Sequence, residues 1–296
     1  EVAASWSPDI IHAEELRMAH YLPCLRGGRS GVKQSVTFHN VESDLFEKIG
    51  SPPIPFGRPL VKRVQNRSLR RYEGRVAART DLRFAYSAHD RERYARLFRR
   101  FPWLVTRNGT DALGVEPAPQ PAAGKILLLA TWSYGPNRTG LSWFLEAVAP
   151  SLAPGVTVTV AGSGADESLR SQLARLAVRF VDTPIDLKPL YDEHALVVVP
   201  LLEGSGTRGK ILEALAHERL VITTPKGAEG LELPAGEGVM IAAGADDLAL
   251  RINEALGSVD ERAALARRGR DAVIARYDWT VVAAELKEAW NACVSR

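Results

Sequence analysis

A glycine-rich segment followed by basic residues is the part of the sequence whose residue types most clearly suggest chemistry. Residues 201–216 read Leu-Leu-Glu-Gly-Ser-Gly-Thr-Arg-Gly-Lys-Ile-Leu-Glu-Ala-Leu-Ala and follow the apolar stretch 197–200. Small residues at a helix start turn the backbone tightly and present N–H groups, which attract an anion together with the helix dipole. Arg208 and Lys210 add positive charge there. The segment therefore predicts a phosphate or diphosphate site.

Glu213 lies one turn further along the same predicted helix. A carboxylate there would repel phosphate, but it can accept hydrogen bonds from the two hydroxyls of a ribose. The combination predicts a nucleoside diphosphate as the ligand. An ordinary helix start with solvated Arg and Lys side chains is the alternative, and the segment alone does not decide between the two. The P-loop pattern Gly-x-x-x-x-Gly-Lys-Ser/Thr does not occur.

The elements that would carry this segment alternate between apolar and helical stretches after residue 124. Predicted strands lie at residues 125–130, 156–161, 178–181, 195–200, 220–224 and 239–242. Predicted helices lie at residues 140–152, 189–194 and 210–217, with a charged helix ending at 178 and two helices at the C-terminus. Uniformly apolar strands are typical of a parallel sheet covered on both faces. Ligands bind outside the carboxyl ends of such strands, so we expect the chemistry there.

The overall composition limits the class of protein. The chain has 296 residues, of which 46% are hydrophobic and 25% charged, and it contains 2 Cys. This composition excludes a disordered chain and a disulfide scaffold, and no apolar stretch is long enough for a membrane-spanning helix. We therefore expect a reducing, cytoplasmic location. The first residue is Glu and no signal-peptide pattern follows, so we expect the natural protein to begin earlier.

The charge distribution divides the chain into two halves. Residues 1–123 carry 20 basic and 13 acidic side chains, whereas residues 124–296 carry 18 and 22. The halves meet at residues 114–124, where three prolines between glycines predict a stiff linker. We therefore predict two domains, residues 1–118 and residues 119–296.

Much of the positive charge of the first half lies in one predicted helix, from Arg58 to Arg75. A solvated helix face is the simplest interpretation, because most charge clusters are of that kind. Peripheral contact with an anionic membrane, at its inner face, is the second interpretation, since polybasic helices gain free energy near such a surface. A nucleic-acid binder is disfavoured, because the sequence lacks zinc-ligand spacing, a helix-turn-helix and an aromatic platform for bases.

From Lys125 to the C-terminus the sequence resembles the donor-side domain of GT-B retaining glycosyltransferases, specifically glycosyltransferase family 4 (glycosyl transferases group 1). The matching segments come in the family's order, at residues 133–144, 160–164, 190–200, 204–214, 223–231 and 277–279. Residues 8–12, 35–43, 86–90 and 105–111 resemble the later strands of the acceptor-side domain. The resemblance implies an α/β GT-B fold of two Rossmann-like domains with parallel sheets, an acceptor-side domain within 1–118 that lacks its beginning and a donor-binding domain within 119–296.

The resemblance implies transfer of a hexosyl group from a nucleotide-diphosphate sugar to a glycan, lipid-linked or small-molecule acceptor, with retention at the anomeric carbon. It also implies that no metal ion or other cofactor takes part, and no Asp-x-Asp motif occurs. The implied catalytic residues are His39, which would face the transferred sugar, Arg208 and Lys210. The implied donor-binding residues are Arg138, Ser205, Gly206, Thr207, Arg208, Lys210, Glu213 and Glu229, with Glu213 on the ribose.

Two departures from the family pattern leave an alternative open. Many members carry a Glu eight residues before the ribose-binding Glu, where this chain has Ser205. The acceptor-side domain also begins two to three strand–helix units late, counted by the usual length of such a unit. The alternative is therefore a non-catalytic nucleotide-sugar-binding domain or an inactive fragment of such an enzyme.

The other histidines indicate no metal site. Those considered are His12, His20, His89, His194 and His217. They are scattered without the spacing that metal ligands need, so we predict surface or capping roles for them. Ser87, three residues before Asp90, predicts the N-terminal cap of a helix.

Overall fold

The structure, a computed structural model, describes residues 7–26, 31–43, 58–122, 124–204, 209–233 and 236–295. These residues form two compact units. The first unit comprises the described residues up to Asn108 and those from Val282 onward, and the second lies between Gly109 and Val281. The C-terminal residues, from Val282 onward, therefore belong to the first unit. The predicted domains, 1–118 and 119–296, place these residues in the second.

The first unit is built on a parallel sheet. Its described strands, in spatial order, are β1 (Ile10–Ala13), β2 (Lys33–Phe38), β3 (Leu82–Ala85) and β4 (Leu104–Val105). Its helices are a 3-10 helix at Leu16–Tyr21, α1 (Leu22–Arg26), α2 (Arg58–Arg79) and α3 (Ala88–Leu97). Ser87 caps α3 by accepting the N–H of Asp90, which confirms the predicted cap. Val36, Phe38 and Tyr94 lie in the apolar core of this unit.

The second unit contains a larger parallel sheet. Its described strands are β5 (Lys125–Leu129), β6 (Thr157–Gly162), β7 (Arg179–Asp182), β8 (Leu196–Val199), β9 (Leu220–Thr223) and β10 (Val239–Ile241). They lie in the order β10-β9-β8-β5-β6-β7. Ile126 and Leu128 pack in one apolar cluster, whereas Leu127 packs in another. Both faces of the sheet are therefore covered, which confirms the prediction from the uniformly apolar strands.

The helices of the second unit follow its strands in alternation. They are α4 (Gly135–Trp143), α5 (Glu167–Arg175), α6 (Lys188–Glu193), α7 (Gly209–Ala216), α8 (Pro225–Ala228), α9 (Ala245–Gly257) and α10 (Val259–Tyr277), and α11 (Trp279–Val294) begins here and ends in the first unit. From α4 to α9, this alternation places the start of the helix near the carboxyl end of the preceding strand, whereas α10 and α11 follow other helices.

Two helix predictions are wrong in their bounds or number. The helix predicted at 140–152 begins earlier, as α4, because Pro136 suits the first turn, and it continues as a π-helix (Phe144–Val148) and a 3-10 turn. The two predicted C-terminal helices are three among the described residues, α9, α10 and α11. Ser258 starts α10 by accepting the N–H of Glu261, and the extended backbone of Asp278 separates α10 from α11.

The predicted linker is held on the second unit by arginine side chains. The hydrogen bonds to its carbonyl oxygens join Arg219 to Ala118 at 3.2 Å, Arg262 to Pro121 at 2.7 Å and Arg270 to Val115 at 2.8 Å. Arg219 and Arg262 are buried, and the carbonyl oxygens satisfy guanidinium donors whose burial would otherwise be costly. Hydrogen bonds therefore fix this segment in addition to the stiffness of its prolines.

A buried carboxylate, that of Asp278, fixes the start of the same segment. It accepts the N–H groups of Ala112 and Leu113 at 3.1 and 2.9 Å and the hydroxyl of Thr280 at 2.6 Å. The hydrogen bond from Thr280, aided by those from the backbone amides, holds the pKa of Asp278 below its usual range. One carboxylate thus joins residues that are far apart in the sequence.

We expect Asp278→Ala to destabilise the protein, because the substitution leaves two amides without their acceptor, at about 1–3 kcal/mol each. Urea unfolding at pH 7 measures this loss. Since the folded-state pKa is depressed, the difference from the wild type should shrink as the pH falls below the ordinary Asp value of 3.8. Asp271→Ala, at an exposed carboxylate of α10, is the control and should cost less than about 0.5 kcal/mol. Equal losses in both variants would contradict the assigned role.

Candidate functional site

Backbone segments approach one another closely at the carboxyl ends of β5, β6 and β8. Gly140, on α4, has no room for a side chain, because a Cβ there would lie 2.2 Å from the carbonyl oxygen of Pro200. Gly162 ends β6 with a φ of +129°, and a Cβ there would lie 1.9 Å from the carbonyl oxygen of Ala130. Only glycine fits either position. The loops that follow these strands are therefore packed together where the sequence predicts a ligand.

Lys210 lies in the first turn of α7, at the end of the loop after β8. Its Nζ donates to Oδ1 of Asn137 at 3.1 Å, and Nδ2 of Asn137 donates to the carbonyl oxygen of Thr131 at 2.8 Å. A half-buried cation is thus held against the first turn of α4, beside the loop after β5. Positive charge at a helix start favours a bound phosphate. Residue type and spacing predict Lys210 as a site residue but not Asn137, which holds it in place.

Glu213 lies on the same helix and is half-buried. The fully buried Tyr191 approaches it from α6, with a hydroxyl that makes no hydrogen bond of ordinary geometry within the described residues. Burial raises the pKa of Glu213, and the nearby Tyr191 hydroxyl lowers it in part. A ligand that donates hydrogen bonds to such a carboxylate stabilises its charged form.

Arg138 and Glu229 are each paired with a neighbouring side chain of opposite charge. Arg138 forms a two-fold salt bridge with Asp166, with N–O distances of 2.5 and 2.9 Å. The hydrogen bond from Arg138 lowers the pKa of Asp166. Nζ of Lys226 lies 2.7 Å from both carboxylate oxygens of Glu229. Solvent reaches both pairs, so they are weak enough for a ligand to replace one partner.

Four of the predicted donor-binding residues lie outside the described residues. They are Ser205, Gly206, Thr207 and Arg208. Gly204, immediately before them, has a φ of +104°, in the left-handed region that favours glycine. The predicted roles of the four residues stay predictions.

In the first unit, polar side chains gather at the carboxyl ends of β1, β2 and β3. Glu14, His39 and Tyr86 each follow directly after one of these strands. The Glu14 carboxylate accepts from the Tyr86 hydroxyl at 2.7 Å and from Nε2 of His12 at 2.9 Å, and it lies 3.4 Å from Nε2 of His39. The rings of His39 and Tyr86 pack with centroids 4.3 Å apart. The predicted catalytic His39 therefore lies in a cluster that residue spacing does not predict.

Glu14 determines the electrostatics of this cluster. Partial burial raises the pKa of its carboxyl, but the hydrogen bonds from His12, His39 and Tyr86 together outweigh burial and hold that pKa well below its usual range. Burial and the same carboxylate raise the pKa of Tyr86. Glu14 is therefore ionised and Tyr86 protonated at neutral pH. The signal that could have identified both is their position at the first residue after a strand.

The predicted surface or capping role is wrong for His194 and His217, which are buried in the second unit. The ring of His217 stacks on Tyr191 with centroids 4.3 Å apart, and burial lowers its pKa to about 4. Nδ1 of His194 lies 2.6 Å from the carbonyl oxygen of Leu190. Both rings fill space in the interior as neutral groups, a role that sequence spacing does not reveal.

Within the part of the chain that the structure describes, no group of three or more His, Cys, Asp or Glu side chains could hold a metal ion. Likewise, no described helix is both long and apolar enough to cross a membrane. Cys24 and Cys293 form no disulfide.

Part of the second unit matches a known protein family. Residues 124–258 match the model of the family described as glycosyl transferases group 1. An uncharacterised 44.6 kDa protein from the cps region of Klebsiella pneumoniae is 31% identical over 117 residues. This match covers 36% of the present chain and 30% of the relative, so the chain spans less than a third of the curated protein it matches.

Solved structures share the fold of nearly the whole chain. Sucrose-phosphate synthase from Thermosynechococcus elongatus superposes with a TM-score of 0.75 at 19% identity, covering 99% of this chain and 76% of that one. HepE of Anabaena, in complex with UDP, gives 0.76 at 16% identity, covering 98% and 80%. A glycosyltransferase from Rickettsia africae gives 0.71 at 15% identity, covering 99% and 79%. The α/β fold with two parallel sheets, of the GT-B class, is thereby confirmed.

We expect Glu14→Gln to lower the free energy of unfolding at pH 7, because a neutral amide replaces the carboxylate that accepts the hydrogen bonds of the cluster. The loss should stay below about 1 kcal/mol, since the Glu14 side chain is more than half exposed. Because the folded-state pKa is depressed, the stabilisation is complete above the ordinary Glu value of 4.5, and the difference should shrink progressively as the pH falls below it.

Glu15→Gln is the matched control for this measurement. It removes the next carboxylate along the chain, which lies 3.9 Å from Nδ1 of His39. Urea unfolding at pH 7 and at acidic pH should show the pH-dependent loss for Glu14→Gln only. The same loss in both variants would contradict the central place of Glu14.

Proposed function

We propose that this protein is a glycosyltransferase that transfers a hexosyl group from a nucleotide-diphosphate sugar to an acceptor, with retention at the anomeric carbon and without a metal ion. The observation that carries the proposal is the placement of Lys210 and Glu213 on α7, at the carboxyl edge of the second sheet. The match of residues 124–258 to a glycosyltransferase family supports it, as do the complexes of HepE with UDP and with UDP-glucose.

Lys210 and Glu213 would bind different parts of the donor. Three residues along a helix correspond to a rise of about 4.5 Å, so the two side chains can reach groups that are neighbours in one nucleotide. The ammonium of Lys210 would bind the diphosphate and stabilise the charge that develops on it as the sugar leaves. The Glu213 carboxylate would accept hydrogen bonds from the ribose hydroxyls.

The remaining predicted residues complete the proposed donor contacts. Gly206 and Thr207 would offer backbone amides to the diphosphate, and Arg208 would add a second cation. Arg138 would bind phosphate in place of Asp166, its present salt-bridge partner. Ser205 and Glu229 would complete the donor pocket. His39 would contact the transferred sugar in the first unit, where its ring is 28% exposed.

The acceptor class in this proposal is a glycan, a lipid-linked sugar or a small molecule, and the location is cytoplasmic. A non-catalytic nucleotide-sugar-binding domain is the second candidate function. The observation that favours it is Ser205, which stands where many relatives of the resembled family carry a carboxylate. Release of nucleoside diphosphate from a sugar nucleotide by the full natural protein separates the two candidates, since a binding domain alone releases none.

A thermal-shift panel of UDP, GDP, ADP and their sugars identifies the preferred base, because only a bound ligand raises the melting temperature. With that ligand, we expect Glu213→Gln to raise the dissociation constant measured by calorimetry about 10- to 100-fold. This is the loss of affinity expected when one hydrogen bond to a charged group is removed. Lys210→Met should weaken binding of the diphosphate to a similar extent. Glu254→Gln, at an exposed carboxylate of α9, is the control and should leave the affinity unchanged. Unchanged binding in Glu213→Gln would contradict the proposed site.

Donor affinity should also depend on pH through Glu213. Burial raises the pKa of this carboxyl above its ordinary value of 4.5, and only the ionised form accepts hydrogen bonds from both ribose hydroxyls. Affinity should therefore fall as the pH is lowered from neutral towards the ordinary Glu value of 4.5, and the fall should begin above that value. Calorimetry over this range should show a weaker decline for Glu213→Gln. An equal decline of affinity in the wild type and in Glu213→Gln would show that another group titrates.

A further inference from the structure

The outer face of α2 carries a continuous set of exposed arginines. Its exposed basic side chains are Arg63, Arg67, Arg70, Arg71, Arg75 and Arg79. Glu73, the only acidic residue of α2, points inward and is buried, where Tyr94 lies 3.3 Å from its carboxylate. Among the described residues, no carboxylate forms a salt bridge with any of these arginines. Among the described side chains of this face, every charged one is therefore cationic.

The spacing of these arginines concentrates their charge along one line. Arg67, Arg71 and Arg75 are four residues apart, so they lie one above the other on a single helix face. Like charges at this spacing repel and destabilise the isolated helix. The repulsion is relieved when an anionic surface neutralises all three, so the face is electrostatically suited to an extended anionic partner.

The end of α3 extends the same basic surface. A Cβ at Gly74 would lie 3.0 Å from the ring of Phe98, so the residues that follow α3 pack against the middle of α2. Arg99 and Arg100 come directly afterwards, and both are exposed. The cationic surface is therefore wider than a single helix face.

Exposed aliphatic side chains among the arginines favour a bilayer over a nucleic acid. Val61 and Val64 are 49% and 60% exposed, although aliphatic side chains gain nothing from phosphates alone. At a membrane interface, they would enter the region between headgroups and acyl chains while the arginines bind lipid phosphates. Base stacking needs exposed aromatic rings, and Tyr72 of α2 is half-buried, with its hydroxyl bonded to the carbonyl oxygen of Leu16.

We propose that the outer face of α2 binds peripherally to an anionic lipid bilayer, with the helix axis along the membrane plane. The arginines supply electrostatic attraction, and Val61 and Val64 supply a shallow apolar contact. This proposal rests on the first unit alone and is independent of the proposed transfer reaction, so either can fail without the other.

The test is co-sedimentation of the protein with vesicles of phosphatidylcholine containing about 30% phosphatidylglycerol, against vesicles of phosphatidylcholine alone. We expect binding only to the anionic vesicles at about 0.1 M salt, and its loss at about 0.5 M salt, where charges are screened. Arg67→Glu with Arg71→Glu should weaken binding at least about 25-fold, since each arginine near such a surface contributes about fivefold.

Arg175→Glu with Arg267→Glu is the matched control, because it makes the same change in net charge at exposed arginines of the second unit. Binding by this control should fall by less than about threefold, the effect of a change in net charge without a contact. Val61→Ser with Val64→Ser should weaken binding to vesicles without affecting stability. Equal losses in both arginine double variants, or equal binding to neutral vesicles, would overturn the proposal. Binding of a duplex or single-stranded oligonucleotide more tightly than anionic vesicles would assign the face to a nucleic acid.

Discussion

Parallel pairing of strands is the constraint on which the sites of both units depend. All pairings between the named strands are parallel. In the second sheet, Leu127 and Leu128 lie in different apolar clusters, so both faces of the sheet are covered. With both faces covered, charged side chains reach solvent mainly at the ends of strands. The crossover from one strand to the next also brings helix starts to the carboxyl edge. This rule places Glu14 in the first unit and Lys210 in the second.

The two central carboxylates of these edges differ in how their charge is compensated. Glu14 already accepts hydrogen bonds from His12 and Tyr86, and its pKa is depressed. Glu213 is half-buried with Tyr191 as its polar neighbour, and its pKa is raised. A carboxylate whose pKa is raised by burial is stabilised when a ligand donates further hydrogen bonds to it, so Glu213 fits a role in binding, whereas Glu14 fits a role in holding neighbouring groups.

The sequence predicted the features that depend on local pattern. Uniformly apolar stretches located the strands of the second unit, and the change from small to charged residues located the start of α7. Contacts between distant residues were not predictable in this way. Asp278 binds amides more than 160 positions earlier in the chain, and the buried His217 stacks on Tyr191 of another helix. Both depend on which elements become neighbours in the fold, and neither residue type nor local spacing encodes that choice.

Hydrogen–deuterium exchange with and without UDP, GDP or ADP measures directly whether the carboxyl edge of the second sheet binds a nucleoside diphosphate. We predict that the stabilising nucleotide slows exchange of backbone amides in α7 and in residues 131–138, which form the loop after β5 and the first turn of α4. Amides in β3 and β4 of the first unit should exchange unchanged. Protection confined to the first unit, or binding that protects neither segment of the second, would show that the nucleotide does not bind at this edge.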